Sequence, residues 1–463
     1  MTPLGIGEIA PTAGLAPRAR DLFASRGGQT LEGAICAQLG LADVEIVETG
    51  TAALYIALMY LKRQSPGRDK VIIPAYTCPL VVRMIAAAGL QAVACDTMAG
   101  GFDLDLEDLA RLVDRDTLAV MPTHYGGLLT DVARLRTTLP ATSSGVSIVE
   151  DAAQAFGATQ NGQSVGCIGD IGVFSFGVGK GFTIYQGGAL IAKDPRVMAG
   201  LHAIAAELTS HSALVEAWRA LQLAGYHALY NPLGMRACYG ARKRFWLARD
   251  NEIRAAGDDV PFTVAIPRVG PWRKAVGRAA LARLPAHLAR SRDRFAHLCQ
   301  RLGTVAGLKV HLPVPSTRPT ATFVFVTLPA APGTEATIRR LWASRLGVAK
   351  MFSRSIGDYP ALRGLVLDRA TPHARALAAT TITLSTHARF TPAAEAAVLS
   401  ELQTLGGVAA ASAALPLGAR EPFHFAHVLG PVANCSSPLS GRRIEIAAHA
   451  MQAGQQLIRT LII

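Results

Sequence analysis

The sequence lacks the features of a disulfide-stapled, metal-binding or membrane-spanning protein. Its seven cysteines are scattered through 463 residues, with no CxxC pair and no Cys/His cluster at metal-ligand spacing. No apolar run reaches the roughly 18 residues of a spanning helix. The first residues lack a basic segment followed by an apolar core, so no secretory signal is expected. We therefore expect a cytoplasmic protein without a metal site.

Charged residues are also sparse. They make up 17% of the chain against 50% hydrophobic residues, which favours a packed core over disorder. The net charge of +13 is concentrated at 242–244 and 273–301. The second stretch has the spacing of one long helix with arginines opposite leucines, which is typical of a solvated helix face. No nucleic-acid-binding signature accompanies it, so nucleic acid is not an expected partner, and attraction of anionic substrates is a secondary effect.

Short β-rich runs alternate with helical stretches from about residue 45 onward. This pattern predicts an α/β fold, in which a mainly parallel sheet lies between helices. A second, smaller α+β unit is predicted where a basic helix precedes strand-like segments at 321–327 and 381–384. The predicted divisions are an N-terminal arm (1–40), the core of a large domain (41–199), a helical insertion or linker (200–279), a small C-terminal domain (280–406) and a tail without assigned structure (407–463).

The predicted insertion is rich in aromatic residues. Tryptophans and tyrosines lie among leucines and alanines between residues 211 and 246. This composition favours a helical hairpin that packs on the core or on a neighbouring subunit. Peripheral membrane contact is the less favoured alternative, because aromatics beside arginines also suit a membrane interface.

Ligands of parallel α/β sheets bind at the carboxyl ends of the strands, and several segments there carry polar chemistry. The turn Thr49-Gly50-Thr51-Ala52 opens a helix, and its backbone N–H groups suit a phosphate. His124 follows one predicted strand, although a lone histidine there is more often structural. Glu150 and Asp151 follow another strand, where a carboxylate can face the ligand and hold a protonated heterocyclic nitrogen.

Lys180 lies in a glycine-rich segment after a further predicted strand. The run Gly177-Val-Gly-Lys-Gly181 suggests a nucleotide phosphate loop, but Phe174 occupies the place of its first glycine. Gly181 also replaces the Ser or Thr that would bind magnesium, which excludes that interpretation. A lysine flanked by glycines suits a Schiff-base nucleophile instead.

The motifs GTAAL, PAYTCP, HYGG, EDAAQAFGA, GDIGVFSFGVGK and QGGAL occur in this order. The series resembles the DegT/DnrJ/EryC1/StrS family, the sugar aminotransferases of pyridoxal-phosphate fold type I. The resemblance covers about residues 40–195 and continues more loosely to about 406. It implies a fold type I aminotransferase-like architecture and an active site between the subunits of a homodimer.

The resemblance also implies roles for individual residues. Lys180 would hold pyridoxal 5'-phosphate as a Schiff base, and Asp151 would pair with the pyridinium nitrogen. Gln154 would bind the ring oxygen, and His124 would lie near the cofactor. The phosphate would be held by Gly50, Thr51, Ala52 and Ser175.

The chain departs from the family pattern in several places. Cys78 replaces an aromatic residue that stacks on the cofactor ring, so either Tyr76 or Cys78 must cover that face. Gln186 stands where an acidic residue is usual. The segment 266–268 replaces the one through which a neighbouring subunit reaches the phosphate, and 351–354 replaces a substrate-binding segment. The residues expected to bind the cofactor thus match the family pattern, whereas those expected to bind the sugar do not.

These features predict an aminotransferase that moves an amino group from an amino acid to a nucleotide-linked keto-sugar. Glutamate is the family's usual donor, and amino-sugar, polysaccharide or secondary-metabolite biosynthesis is the expected context. Two alternatives stay open. The enzyme could use the same cofactor on a non-sugar keto acceptor, or the protein could bind the cofactor without catalysis and act as a regulator.

Overall fold

The computed structural model describes residues 7–25, 27–140, 144–259 and 266–413, with 406–413 described as backbone only. The predicted tail therefore lies outside the described residues beyond residue 413. Within the described part, no helix combines the length and hydropathy needed to cross a membrane.

The helices of the structure are α1 (Ala19–Leu22), α2 (Leu31–Leu39), α3 (Gly50–Gln64), α4 (Pro79–Ala87), α5 (Leu106–Leu112), α6 (Val132–Thr138), α7 (Pro195–Leu208), α8 (Ala213–Leu229), α9 (Pro232–Met235), α10 (Ala241–Leu247), α11 (Glu252–Ala256), α12 (Pro271–Leu281), α13 (Leu284–Leu302), α14 (Thr334–Ala343), α15 (Pro372–Thr380) and α16 (Pro392–Ala413), with a π-helical turn at Arg236–Gly240 and 3-10 turns at Ile356–Asp358 and Pro360–Leu362. The strands are β1 (Glu45–Val47), β2 (Lys70–Pro74), β3 (Gln91–Cys95), β4 (Thr117–Val120), β5 (Ser147–Asp151), β6 (Thr159–Gln160), β7 (Gln163–Ser164), β8 (Ile171–Ser175), β9 (Gly188–Ile191), β10 (Thr209–Ser210), β11 (Ile266–Pro267), β12 (Lys309–Val310), β13 (Thr317–Arg318), β14 (Phe323–Thr327), β15 (Val348–Ala349) and β16 (Thr381–Ser385).

The central sheet has seven strands in the order β1-β9-β8-β5-β4-β2-β3. The five strands from β8 to β3 are parallel, whereas β9 and β1 add an antiparallel edge. Both faces are covered, as strand β2 illustrates. Val71 and Ile73 join the apolar cluster that includes α3 and α4, whereas Ile72 joins the cluster with α5 and α6. Successive side chains point to opposite faces of a strand, so apolar residues at every position bury both faces.

The C-terminal unit is a four-stranded antiparallel sheet in the order β12-β14-β16-β15. Its apolar face packs against α13, α14 and α16 in a separate cluster of buried residues. A mainly parallel large sheet with a smaller α+β unit confirms the predicted fold class.

The basic stretch 273–301 differs from the single solvated helix predicted for it. Helix α12 ends at Leu281 and α13 begins at Leu284, with Pro285 in its first turn, where proline is tolerated. Arg273 is fully buried, because it ion-pairs with Glu48 and Glu216. The prediction of one continuous helix was wrong, and the solvated face does not extend to Arg273.

Candidate active site

Lys180 lies in the irregular segment that follows β8. No helix follows it, so the segment also lacks the architecture of a nucleotide phosphate loop. Its chain turns at Gly179, where a φ of +80° favours glycine, and a Cβ there would lie 2.8 Å from Thr12 Oγ1. The Lys180 side chain lines a cavity but is otherwise surrounded by protein. Burial lowers the pKa of its ammonium, although the charge of Asp151 opposes that effect.

Asp151 ends strand β5 close to Lys180. Its carboxylate accepts a hydrogen bond from the Ala153 N–H at 3.1 Å and is 9% exposed. Burial raises the pKa of this carboxyl, opposed by the Ala153 hydrogen bond and the charges of Lys180 and His124. A cationic N–H partner would favour the ionised form, so the site fits the protonated ring nitrogen of pyridoxal phosphate.

A phosphate-sized cradle lies at the start of α3. Thr49 caps this helix, because its Oγ1 accepts from the Ala52 N–H at 2.9 Å and lies 2.8 Å from Thr51 Oγ1. The first backbone N–H groups of a helix have no intrahelical partners and attract anions. Ser175, at the end of β8, packs so closely that a Cβ on Gly50 would lie 2.8 Å from the Ser175 Cβ. The fold thus brings Gly50, Thr51, Ala52 and Ser175 together.

His124 and Glu150 form a buried pair behind Asp151. Their side chains are 0% exposed, with His124 Nε2 3.0 Å from Glu150 Oε2. The backbone N–H groups of Gly166, Ile168 and Gly169 also donate to the Glu150 carboxylate. Burial alone would raise the pKa of Glu150, but the hydrogen bond and charge of His124 and these N–H groups lower it.

The structure therefore directs the two neighbouring carboxylates differently. Asp151 interacts with Lys180, whereas Glu150 anchors the loop 166–169 and does not face the ligand. His124 Nδ1 is buried and has no hydrogen-bond partner among the described residues. Glu150 thus holds one nitrogen of the ring.

Cys78, rather than Tyr76, lies beside the reactive lysine. The Tyr76 ring is fully buried among Phe102, Tyr125 and Phe352, with centroid separations of 5.3–6.5 Å. Cys78 caps α4 and interacts electrostatically with Lys180 and Asp151. Burial raises the pKa of its thiol to about 11, so Cys78 is an uncharged side chain.

Gln154 and Lys180 line one cavity of about 510 Å³. Its outer wall comes from helix α8 and the segment beyond it, including Trp218, Leu221 and Tyr226. From the sequence, Trp218 and Tyr226 are predicted only to pack on the core or on a neighbouring subunit, and their place in the same cavity as Lys180 is not predicted. The available signal was their helical spacing, which puts Trp218, Leu221 and Gly225 on one face.

The segments that depart from the family pattern have different environments. Met351 lines the cavity, with its Sδ 3.4 Å from Gln154 Nε2, whereas Arg354 lies near Glu252. Arg268 is exposed, and its Nε donates to Thr209 Oγ1 at 3.0 Å. The Gln186 carbonyl accepts from Arg273 Nη1 at 2.9 Å.

The fold and this arrangement define an α/β protein of the fold type I aminotransferase kind. Residues 23–228 match the model of the DegT/DnrJ/EryC1/StrS aminotransferase family. The match covers less than half of the 463 residues, so the chain is similar to this family over that stretch, in agreement with its motifs.

Relatives with described activities align over part of their length. The chain is 27% identical to a dTDP-4-dehydro-2,3,6-trideoxy-D-glucose 4-aminotransferase of Saccharopolyspora spinosa over 64% of this chain and 66% of the relative. It is 34% identical to the 3-amino-5-hydroxybenzoate synthase of Amycolatopsis mediterranei over 36% of this chain and 42% of that enzyme. The chain thus spans less than two thirds of the length of these relatives.

Solved structures of similar fold align more completely. The sugar aminotransferase CalS13 from Micromonospora echinospora has a TM-score of 0.64 at 20% identity, covering 86% of this chain and all of that one. The Helicobacter pylori aminotransferase PseC has a TM-score of 0.66 at 14% identity, covering 86% and 99%. At these identities the likeness establishes the fold.

Proposed function

We propose that the protein is a pyridoxal-phosphate-dependent aminotransferase that moves an amino group from an amino acid, with glutamate as the donor, to a nucleotide-linked keto-sugar. The observation that carries this proposal is the Lys180 amine in a cavity beside Asp151. Similarity to a dTDP-sugar 4-aminotransferase and to GDP-perosamine synthases supports the acceptor class. Amino-sugar, polysaccharide or secondary-metabolite biosynthesis is the corresponding context.

The residues present fit the cofactor. Its phosphate would lie at the N-terminus of α3 with Gly50, Thr51, Ala52 and Ser175, and its ring nitrogen on Asp151. Gln154 would reach the ring oxygen, and Cys78 would lie at the ring face. When bound, the cofactor supplies an electron sink and carries the amino group between the two substrates.

The protein's own groups would perform the binding and proton-transfer work. Burial lowers the pKa of Lys180, which increases the fraction of neutral amine able to bond to a carbonyl carbon and to move protons. Glu150 fixes the orientation of His124 through the 3.0 Å contact to Nε2. The aromatic wall of the cavity would exclude water from the reacting atoms.

The test is spectroscopic. The purified protein should show the visible absorption band of the bound cofactor, and L-glutamate should shift that band. Lys180→Ala should remove both the band and the shift, whereas Lys193→Ala, at an exposed lysine, should retain them. A bound cofactor without any shift across a panel of amino acids would favour the non-catalytic regulator instead.

A non-sugar carbonyl acceptor is the second candidate. One relative, the 3-amino-5-hydroxybenzoate synthase, is named for a product that is not a sugar. The exposed wall of the cavity beside Lys180 is also mainly apolar.

The assembly is proposed to be a cytoplasmic homodimer, as the family resemblance implies. None of the six described cysteines is in a disulfide, which suits a reducing compartment. Sedimentation equilibrium of the holoenzyme checks the dimer.

A further inference from the structure

The cavity beside Lys180 continues from the reactive lysine to the inserted helix α8. Its wall is mainly aromatic and aliphatic, and the side chains that set its character are Tyr185, Trp218, Leu221, Tyr226, Leu229 and Phe323. Leu221 and Leu229 are 61% and 42% exposed, so apolar surface extends to the cavity mouth. This is unusual for a site that would admit only a hydroxylated sugar, because exposed apolar surface of this kind tends to mark a binding site.

Charged groups in the wall are few. Among the lining residues, all within the described part of the chain, Lys180 is the only one with an acidic, basic or imidazole side chain. The Gln154 Oε1 accepts from the Gly126 N–H at 3.3 Å, and the Gln222 Oε1 accepts from Arg219 at 2.8 Å. Hydroxyl groups of threonine and tyrosine also line the wall, but most of its exposed surface is apolar.

Two lining phenols lie next to each other. Tyr226 and Tyr230 are hydrogen-bonded, with ring centroids 4.9 Å apart. Burial raises the pKa of both, that of Tyr230 to about 12, so both are uncharged at neutral pH. Tyr226 and Tyr230 therefore present mainly their ring faces to the cavity.

Tyr185 indicates that the wall is a built feature. It is a non-glycine residue with a φ of +74°, a conformation that costs about 1–3 kcal/mol and persists where its surroundings enforce it. The Thr183 hydroxyl accepts a hydrogen bond from the Tyr185 N–H at 2.9 Å. The centroid of the Tyr185 ring thereby lies 6.3 Å from the centroid of the Tyr226 ring.

The energetics favour an apolar occupant. A hydroxyl buried without a partner costs about 1–3 kcal/mol. A buried CH₂ group contributes about 0.8 kcal/mol of stabilisation. A diphosphate would need cations, and Lys180 is already required for the reaction.

From this cavity we infer that the amino acceptor carries an apolar, hydroxyl-poor body beside its carbonyl group, and that any nucleotide attached to it lies outside the cavity. The inference rests on the proposed aminotransferase function and narrows its substrate class. Two sources share this chemistry: a keto-sugar ring from which hydroxyls have been removed, and a free alkyl or aryl ketone.

The primary experiment compares acceptors on the glutamate-loaded holoenzyme. Benzylacetone should be aminated with a kcat/KM at least about tenfold above that of dihydroxyacetone, because each hydroxyl of dihydroxyacetone loses its hydrogen bonds to water without gaining a partner.

A pair of dTDP-linked keto-sugars that differ only in hydroxyl number forms the second arm, and the deoxygenated one should be preferred. The arm with the larger kcat/KM identifies the source. Equal or reversed selectivity in both arms would overturn the inference.

Variants of α8 provide matched controls. Leu221→Ser should reduce the preference for benzylacetone, whereas Leu214→Ser should not, because Leu214 is 85% exposed and does not line the cavity. Gly225→Phe should fill the cavity, since a Cβ there meets no atom within 4 Å, and should weaken the acceptor step more than the glutamate step. If Leu221→Ser changed the sedimentation of the protein and left selectivity intact, α8 would be a subunit contact and the inference would fail.

A binding measurement separates this inference from the proposed function. Benzylacetone should alter the tryptophan fluorescence of the protein, and Trp218→Phe should remove that response while three other tryptophans remain. This result is expected even if no amino acid shifts the cofactor band, in which case the aminotransferase proposal fails alone. If glutamate is converted with saturable kinetics but benzylacetone does not change the fluorescence, the inference of an apolar acceptor is rejected and the aminotransferase proposal stands.

Discussion

The Glu150 carboxylate shows how a buried charge is stabilised by several hydrogen-bond donors. It is 0% exposed and is held by His124 Nε2 and three backbone N–H groups. Strand alternation could have predicted its direction, because adjacent residues on β5 point to opposite sides and only one can face a ligand. Its partners in the loop 166–169 could not be predicted, since they depend on the path of an irregular segment.

Glu150→Gln should destabilise the protein at neutral pH by about 2–4 kcal/mol, because an amide cannot accept all of these hydrogen bonds and brings two donors of its own. The folded pKa of Glu150 lies below its ordinary value of 4.5. The stability it contributes is therefore present above the unfolded pKa and is lost as the pH falls through the folded pKa. Urea denaturation at pH 7 and pH 4 should show the difference from wild type shrinking at the lower pH. Glu107→Gln, at an exposed position, should cost little at either pH.

Lys180 should react with pyridoxal phosphate at a lower pH than an ordinary lysine. Burial lowers the pKa of its ammonium from 10.5, and the neutral amine is the reactive form. The rate of cofactor incorporation into the stripped protein should rise with pH and level off below pH 10.5. Stopped-flow absorbance across pH 6–10 measures this profile. A rate that still rises at the top of this range, near the ordinary lysine pKa of 10.5, would contradict the environment described for Lys180.

At the scale of elements, Arg273 joins helix α8 to the turn before α3. Its guanidinium on α12 lies 2.6 Å from carboxylate oxygens of both Glu48, which precedes the Thr49 cap, and Glu216 on α8. It also donates to the Gln186 carbonyl. Helix α8 therefore positions the cavity wall relative to the turn that would hold the cofactor phosphate.

Arg273→Met should cost about 3–5 kcal/mol, because it leaves buried carboxylates without their main cation. Burial already raises the pKa of Glu48, opposed mainly by Arg273, so the variant should be more stable at mildly acidic pH than at neutral pH. Adding Glu48→Gln should recover part of the loss.

Lys274→Met, which removes a half-exposed ion pair with Glu32, is the matched control and should cost less than about 1 kcal/mol. Equal effects of the two substitutions would show that the Arg273 network is not a structural link.

Element boundaries were predicted well where local rules apply and poorly where tertiary contacts override them. Strand β16 begins at residue 381 as predicted, since a short run of β-branched and apolar residues marks it. Arg273 could not be told from its solvated neighbours, because helical spacing describes a face but not what covers it. The partner glutamates come from residues 48 and 216, far apart in the sequence.

At the scale of the whole molecule, the N-terminal arm connects parts that the sequence treats as separate. Glu8 pairs with Lys243 beyond α8, Ala13 N–H donates to the Thr322 carbonyl of the C-terminal unit, and Leu15 N–H donates to the Gly181 carbonyl. Between these points the arm lines the cavity. Composition alone gives no sign of this path, because two of these three contacts are made by backbone N–H groups.

Glu8→Gln should therefore loosen the whole assembly, not only its terminus. Lys243 is 2% exposed and burial lowers the pKa of its ammonium, with Glu8 as the main opposing charge. Removing that charge should cost about 3–5 kcal/mol at neutral pH. The loss should diminish as the pH rises, because Lys243 can then release its proton. Adding Lys243→Met should restore most of the stability in thermal denaturation.

Because the arm also lines the cavity, Glu8→Gln should raise the KM of the acceptor more than that of the amino donor. An unchanged melting temperature with normal acceptor KM would show that the arm is not needed to hold the cavity together.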